Sequence, residues 1–222
     1  VVQLILSLYL AAVAVAQIAI GPLSDRHGRR PVLVWGLGIF VIGSLVCALA
    51  DTISVMIAGR VLQAVGGCAG IVLGRAIVRD LYDRSQAASM IGYVTMGLAV
   101  APMIGPAIGG LLHEQFGWRT NSWLMLVAGL AVFAWAYFEL HETNHARVRE
   151  GGLRGLARTY AVLLRSPLFL AYATTAAFTS GVFFTFLGGA PFVSVKLLDM
   201  TPSEYGFYFM MVAGGYIVGN WL

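Results

Sequence analysis

The sequence predicts an all-α integral membrane protein, on three observations. Apolar residues make up 59% of the 222 positions and charged ones 11%. Mean hydropathy is +0.83, outside the range of soluble domains. The charges gather in short clusters between apolar runs of 18 residues or more, each long enough to cross a bilayer. Backbone groups in lipid must be paired within their own segment, and runs of this length suit helices where a barrel strand of about 10 residues would not.

The runs lie at about 2–20, 32–50, 54–78, 86–112, 122–140, 168–191 and 203–222, seven expected spans. The first and second hold no formal charge, and a dense charged turn, Gly21-Pro-Leu-Ser-Asp-Arg-His-Gly-Arg-Arg-Pro-Val-Leu33, separates them. The third contains Arg60 about seven residues into its span, roughly 10 Å from the outer end at 1.5 Å per residue. It also carries Gly66, Gly70 and Gly74 at intervals of four, and the fourth carries Gly97, Ala101, Gly105 and Gly109 in the same way. Such rows offer smooth grooves to a neighbouring backbone. Pro102 and Pro106 remove backbone donors from the fourth run, so it is expected to bend or soften there, as a hinge in a moving bundle or as static packing of small residues. The fifth run opens after Trp118-Arg119, and the sixth follows the long connection 142–166. Within that connection Leu153, Leu156, Tyr160 and Leu163 recur at helical spacing with Arg154, Arg158 and Arg165 elsewhere on the wheel, the pattern of an amphipathic surface helix. Thr201-Pro-Ser-Glu204 before the last run fits a capping box with Pro at the first helical position.

Basic residues set the orientation. Arg26, Arg29 and Arg30 fill the first turn, Arg79 and Arg84 the third, and Arg147, Arg149, Arg154, Arg158 and Arg165 the fifth; the alternate connections hold only Arg119 and Lys196. The Arg-rich ends therefore face the cytoplasm, and the first span runs from outside to inside. The net charge of +4 reports topology and inner-leaflet lipid, so no nucleic-acid partner is expected. Cys47 and Cys68 fall inside spans, where neither a disulfide nor a metal site is expected. Because both ends of the sequence lie in apolar runs, the chain is expected to be part of a longer protein.

The turn from Gly21 to Leu33, with its Asp25-Arg26 pair, Gly28 and the paired Arg29-Arg30, resembles the signature loop of the major facilitator superfamily. Arg60-Val-Leu-Gln63 leading to Gly66 resembles that family's fourth-helix motif, and Gly105-Pro-Ala-Ile-Gly-Gly110 the fifth-helix motif of its drug/proton antiporters. Trp118-Arg119 and Gly188-Gly-Ala-Pro-Phe192 are similar to the Bcr/CflA-type drug-resistance transporters. The resemblance implies about helices two to eight of a twelve-helix, two-bundle fold. Residues 1–141 would form five spans of the N-terminal bundle, 142–166 the cytoplasmic inter-bundle loop, and 167–222 the start of the C-terminal bundle.

The implied activity is export of small amphipathic drugs or metabolites in exchange for protons, by alternating access. A proton-coupled importer is the near alternative and a seven-helix receptor a distant one; no enzyme is implied. Arg60 and Gln63 would serve proton coupling. Gly21, Asp25, Arg26, Gly28, Arg29, Arg30 and Asp80 would form a cytoplasmic latch, and Gly97, Pro102, Gly105, Pro106, Gly109 and Gly110 the antiporter hinge. All ten carboxylates lie in loops or near span ends, so the titrating acid is expected outside this sequence. Phe178, Phe183, Phe186, Tyr205, Tyr208 and Phe209 are candidates for a lipophilic pocket. The expected partners are a small-molecule drug or metabolite, protons and the lipid bilayer, with no cofactor and a monomeric state; the expected location is the inner (plasma) membrane.

Overall fold

The computed structural model describes residues 2–144 and 152–221. Eight helices and no strand occur among them: α1 (Val2–His27), α2 (Arg29–Ala48), α3 (Ile53–Leu81), α4 (Arg84–Phe116), α5 (Arg119–Glu139), α6 (Gly152–Arg165), α7 (Pro167–Lys196) and α8 (Pro202–Trp221). The stretch 145–151, with Arg147 and Arg149, lies outside the described residues. Helices α1, α2, α3, α5 and α7 are long and apolar enough to cross a membrane. Helices α4, of 33 residues, and α8, of 20, occupy the other two apolar runs. The amphipathic segment of the long connection is α6.

The charged stretch 21–33 is far more helical than a loop reading allows. Residues 21–27 complete α1 and residues 29–33 begin α2, leaving Gly28 alone as the reversal. Gly28 sits at φ 105, ψ 155, which a residue bearing Cβ resists. Arg26 and His27 in the last turn of α1 complement the negative end of its dipole. Other helices are closed by side chains the sequence advertises. Thr52 Oγ1 accepts from the Val55 amide at 3.4 Å, and Ser166 Oγ from Phe169 at 3.4 Å ahead of Pro167. Thr201 and Glu204 make the expected reciprocal box: Glu204 Oε2 accepts from the Thr201 amide at 2.8 Å, and Thr201 Oγ1 from the Glu204 amide at 3.2 Å.

Helix α3 is the hub, packed on α2 along one side and α1 along another; α2 carries α5, and α4 packs chiefly on α8. Lipid offers little hydrophobic drive between helices, so close contact depends on small residues. The α2–α3 seam shows this with glycines seven apart on both helices. A Cβ on Gly36 would lie 2.5 Å from that of Ala69, on Gly43 2.6 Å from the Gln63 amide, and on Gly59 2.6 Å from Cys47 Sγ; on Gly66 it would overlap the Phe40 amide.

The four-residue rows therefore need correction. A Cβ added at Gly70 or Gly74 would meet nothing within 4 Å, and the same holds at Gly97 and Gly105. Helix periodicity turns every fourth residue slowly away from a straight neighbour, and only Gly66 of the α3 row meets α2. On α4 the tight approach comes from the other side: a Cβ on Gly206 of α8 would meet Ala107 Cα at 2.5 Å and the Pro106 carbonyl at 2.8 Å. Gly109 instead accepts from Asn121 Nδ2 at 3.2 Å, and Gly110 is buried. Helix α4 continues through both Pro102 and Pro106.

Candidate functional site: a charged cluster, a mid-helix arginine and an apolar cleft

Where the C-terminal ends of α1 and α3 meet the N-terminal end of α2, Arg29 gathers the polar groups. Its Nη1 lies 2.6 Å from Asp25 Oδ1 and donates to Ser24 Oγ at 2.6 Å, while Nε lies 3.0 Å from Asp80 Oδ2. Ser24 is fully buried and its hydroxyl donates to the Gly21 carbonyl at 2.7 Å, which brings Gly21 into the cluster through its backbone. One guanidinium fork thus ties the last turn of α1 to the end of α3. The planar, multidentate geometry suits arginine in a way lysine cannot copy.

The segment following α5 completes this cluster, a contribution that the charge pattern of the sequence does not announce. Glu142 Oε1 accepts from the backbone amides of Arg29 at 2.8 Å, Asn144 at 3.0 Å and Thr143 at 3.1 Å. A carboxylate therefore caps the first turn of α2, where the helix dipole favours an anion. Thr143 Oγ1 reaches Asp80 Oδ2 at 3.4 Å, and Asn144 Nδ2 donates to the carbonyls of Asp25 at 3.2 Å and Ser24 at 3.4 Å. Both carbonyls lie in the last turn of α1, where acceptors run short of helical partners, and that of Ser24 also accepts from the Gly28 amide at 2.9 Å. A Glu-Thr-Asn triplet directly behind an apolar run was the available signal, since each residue type favours capping contacts.

Two latch residues stand apart. Arg30 turns to α5, donating to the Leu140 carbonyl at 2.7 Å and the Tyr137 carbonyl at 2.8 Å, with its guanidinium 5.7 Å from the Tyr137 ring centroid. It closes the C-terminus of α5 and holds α2 against it. Arg26 is exposed and has no ion pair among the described residues.

Deeper in α3, Arg60 and Gln63 part company. The buried Nε of Arg60 has no hydrogen-bond partner among the described residues. The charge lies within electrostatic reach of Tyr9 on α1 and Cys47 on α2. Tyr9 is a residue that sequence reasoning misses, because an isolated tyrosine in an apolar run carries no signal. Gln63 is 2% exposed and fully engaged with α2: Nε2 donates to Ser44 Oγ at 2.7 Å, Ser44 donates to the Phe40 carbonyl at 2.8 Å, and Cys47 Sγ approaches Gln63 Oε1 at 3.7 Å. At a spacing of three, Gln63 is offset from Arg60 by about 60° around the helix, so the two are neighbours on α3 while Gln63 bonds into the α2–α3 seam.

A third feature is a cleft of about 1280 Å³ between α7 and α8, lined by Phe178, Phe186, Tyr205, Tyr208 and Phe209 among others. Phe186 stacks on Phe209 at 6.3 Å between ring centroids. Phe183 is not among the lining residues and packs edge-on to Phe184. The cleft's volume suits a drug-sized ligand with room for water.

The family pattern described as Major Facilitator Superfamily matches residues 1–222. The chain belongs to the major facilitator superfamily. Among relatives of this transporter family, it is 32% identical to the uncharacterized MFS-type transporter YdgK of Bacillus subtilis (strain 168), covering 99% of this chain and 56% of that protein. It is 30% identical to multidrug resistance protein MdtL of Shigella dysenteriae serotype 1 (strain Sd197), covering 94% and 52%. The crystal structure of the human organic anion transporter MFSD10 (TETRAN) shares its fold, with a TM-score of 0.68 at 20% identity over 95% of this chain and 53% of that one. The chain thus spans about half the length of the relatives it matches. Major facilitator proteins are multi-pass membrane transporters of small molecules, not enzymes, and this chain carries that fold.

Proposed function

We propose that the protein exports small amphipathic drugs or metabolites across the inner membrane in exchange for protons, working as a monomer by alternating access. Residues 1–141 are assigned to one bundle, 167–222 to the start of the second, and 142–166 to the link between them. The observation that carries the coupling reading is the buried, unpartnered Nε of Arg60. An arginine inside a span costs about 2.5–3.5 kcal/mol even on lenient scales, so a guanidinium held there without a local partner is kept for something that arrives during the cycle. Close to a carboxylic acid it favours the ionised form and expels the proton; as the two separate, the acid takes it back. No carboxylate accompanies Arg60 in mid-span here, and the titrating acid belongs to the rest of the protein.

In this reading the Asp25–Arg29–Asp80 cluster holds the cytoplasmic side shut, with Glu142, Thr143 and Asn144 setting its geometry. Arg30 and Gln63 hold helices together, and the α7–α8 cleft receives the apolar cargo. The likeness to a multidrug resistance protein supports export of drugs, and import of a metabolite is the second reading.

The test uses the full-length protein in liposomes with an imposed proton gradient, a panel of lipophilic cationic and neutral drugs, and Arg60→Ala. Drug movement against the proton flux should fall in the variant by a factor within the roughly 5–150-fold range of a 1–3 kcal/mol coupling energy. Movement independent of the gradient, or an unaffected variant, overturns the coupling; movement of a metabolite with the protons selects import.

A further inference from the structure

Helix α1 contains one internal proline, Pro22. Proline has no amide hydrogen, so the carbonyl four residues earlier, that of Ile18, loses its partner in the helical ladder. At membrane depth such a carbonyl must be satisfied by something else. The hydroxyl of Tyr160, on α6, donates to the Ile18 oxygen at 2.8 Å across 142 positions of sequence. The link between the two halves thus makes its hydrogen bond to α1 at the acceptor that the proline sets free.

We infer that Tyr160 is a positioning residue of the transport cycle, a strap that holds the Pro22 break of α1 closed while the cytoplasmic side is shut. This rests on the alternating-access reading above. Three features make the strap act on the gate. First, the turn of α1 that follows Pro22 carries Ser24 and Asp25, both of which hold Arg29. Their position depends on how α1 passes through the break.

Second, α6 is joined to α7 through Ser166 alone. Its amide donates to the Leu163 carbonyl at 3.0 Å and its hydroxyl caps α7, so the junction is pinned on both sides. Helix α6 also packs on α7, and the two move together. Third, a proline break is where a helix bends most readily. When α7 swings outward from the first half, Tyr160 leaves Ile18, the carbonyl is orphaned, and the end of α1 is released. Return of α6 restores the bond and the angle of the gate.

The experiment measures the cytoplasmic gap in the full-length protein by pulsed electron–electron resonance. Spin labels at Arg84→Cys on α4 and Arg165→Cys on α6 report it, and Cys47 and Cys68 remain buried in place. Tyr160→Phe keeps the ring and removes only the donor. It should move the population toward the open distance by about fivefold, the equivalent of about 1 kcal/mol for one intramolecular hydrogen bond. Pro22→Ala supplies Ile18 with an amide donor from its own helix, so in that background Tyr160→Phe should add nothing.

A merely structural contact would produce the same shift in both backgrounds, and that result overturns the strap, as does no shift in either. If the wild type keeps one distance with and without a proton gradient, the alternating-access reading fails and the strap with it. If the wild type switches while Tyr160→Phe matches it throughout, the strap alone falls.

Discussion

The α2–α3 seam and the α7–α8 cleft are built from similar apolar letters and reach opposite results. Along the seam four glycines let two backbones touch, and the polar side chains there are satisfied locally: Gln63 donates to Ser44, and Ser44 to the Phe40 carbonyl. Helix α7 has no buried residue among those described, and its Gly181 meets nothing within 4 Å. Glycine on a membrane helix is therefore permission for contact, and the neighbouring surface decides whether it is used. The seam is a close-packed frame carrying the charged cluster at one end; the cleft is an open, largely apolar surface.

The sharpest way to break this contrast is one substitution placed in both regions. Gly66→Leu drives a side chain into the Phe40 amide and the Gly36 carbonyl, backbone atoms that cannot step aside. It should cost about 3 kcal/mol or more, seen as lost thermal stability and low yield of monodisperse protein. Gly181→Leu, lining the cleft, should leave the melting temperature unchanged or raised, since replacing a mid-helix glycine gains about 0.8 kcal/mol of helix propensity. Its effect should appear as weaker transport of bulky drugs. Equal destabilisation by the two would mean that the cleft is filled by protein in the assembled transporter, and the cargo role would fall.

A smaller effect separates structure from coupling inside α3. Gln63→Leu removes the donor to Ser44 and should cost about 1–2 kcal/mol of stability while leaving the ratio of protons to drug unchanged. A changed ratio would return Gln63 to the proton path beside Arg60.

These contrasts mark what the sequence makes legible. The all-helical architecture follows from the length of the apolar runs, because bilayer thickness constrains it strongly, and the Asp25–Arg29–Asp80 grouping follows from the resemblance of residues 21–33 to a family signature. Capping at Thr201 and Glu204 is equally local and equally readable. Which glycines meet a backbone is not, since Gly66 and Gly70 look alike until α2 is placed beside one of them. Glu142 and Tyr160 were hidden for the same reason: each acts on a residue more than 100 positions away. The partner carbonyl of Tyr160 is the exception in principle, because Pro22 announces an orphan acceptor at Ile18, though not the donor that fills it.

The smallest prediction concerns the junction between frame and cleft, where α4 meets α8. Glu114 lies in the last turn of α4 beyond the apolar stretch 86–112, and its Oε1 accepts from the Ser203 amide at 2.9 Å. That amide, with the Ser203 hydroxyl adding to it, holds the Glu114 carboxyl below its usual pKa. A folded-state pKa below the unfolded one means that ionised Glu114 stabilises the fold at any pH above the ordinary carboxylate range. The contribution disappears as pH falls through the lowered value. Glu114→Gln keeps an acceptor for Ser203 and removes the charge, so its melting temperature should lie slightly below that of the wild type at pH 7. The two curves should converge once the pH falls below that lowered value, where the wild-type carboxyl is protonated too. A gap that persists at low pH would assign the loss to packing at the α4–α8 contact, where Gly206 already presses on Ala107, and would leave the carboxylate no part in joining frame to cleft.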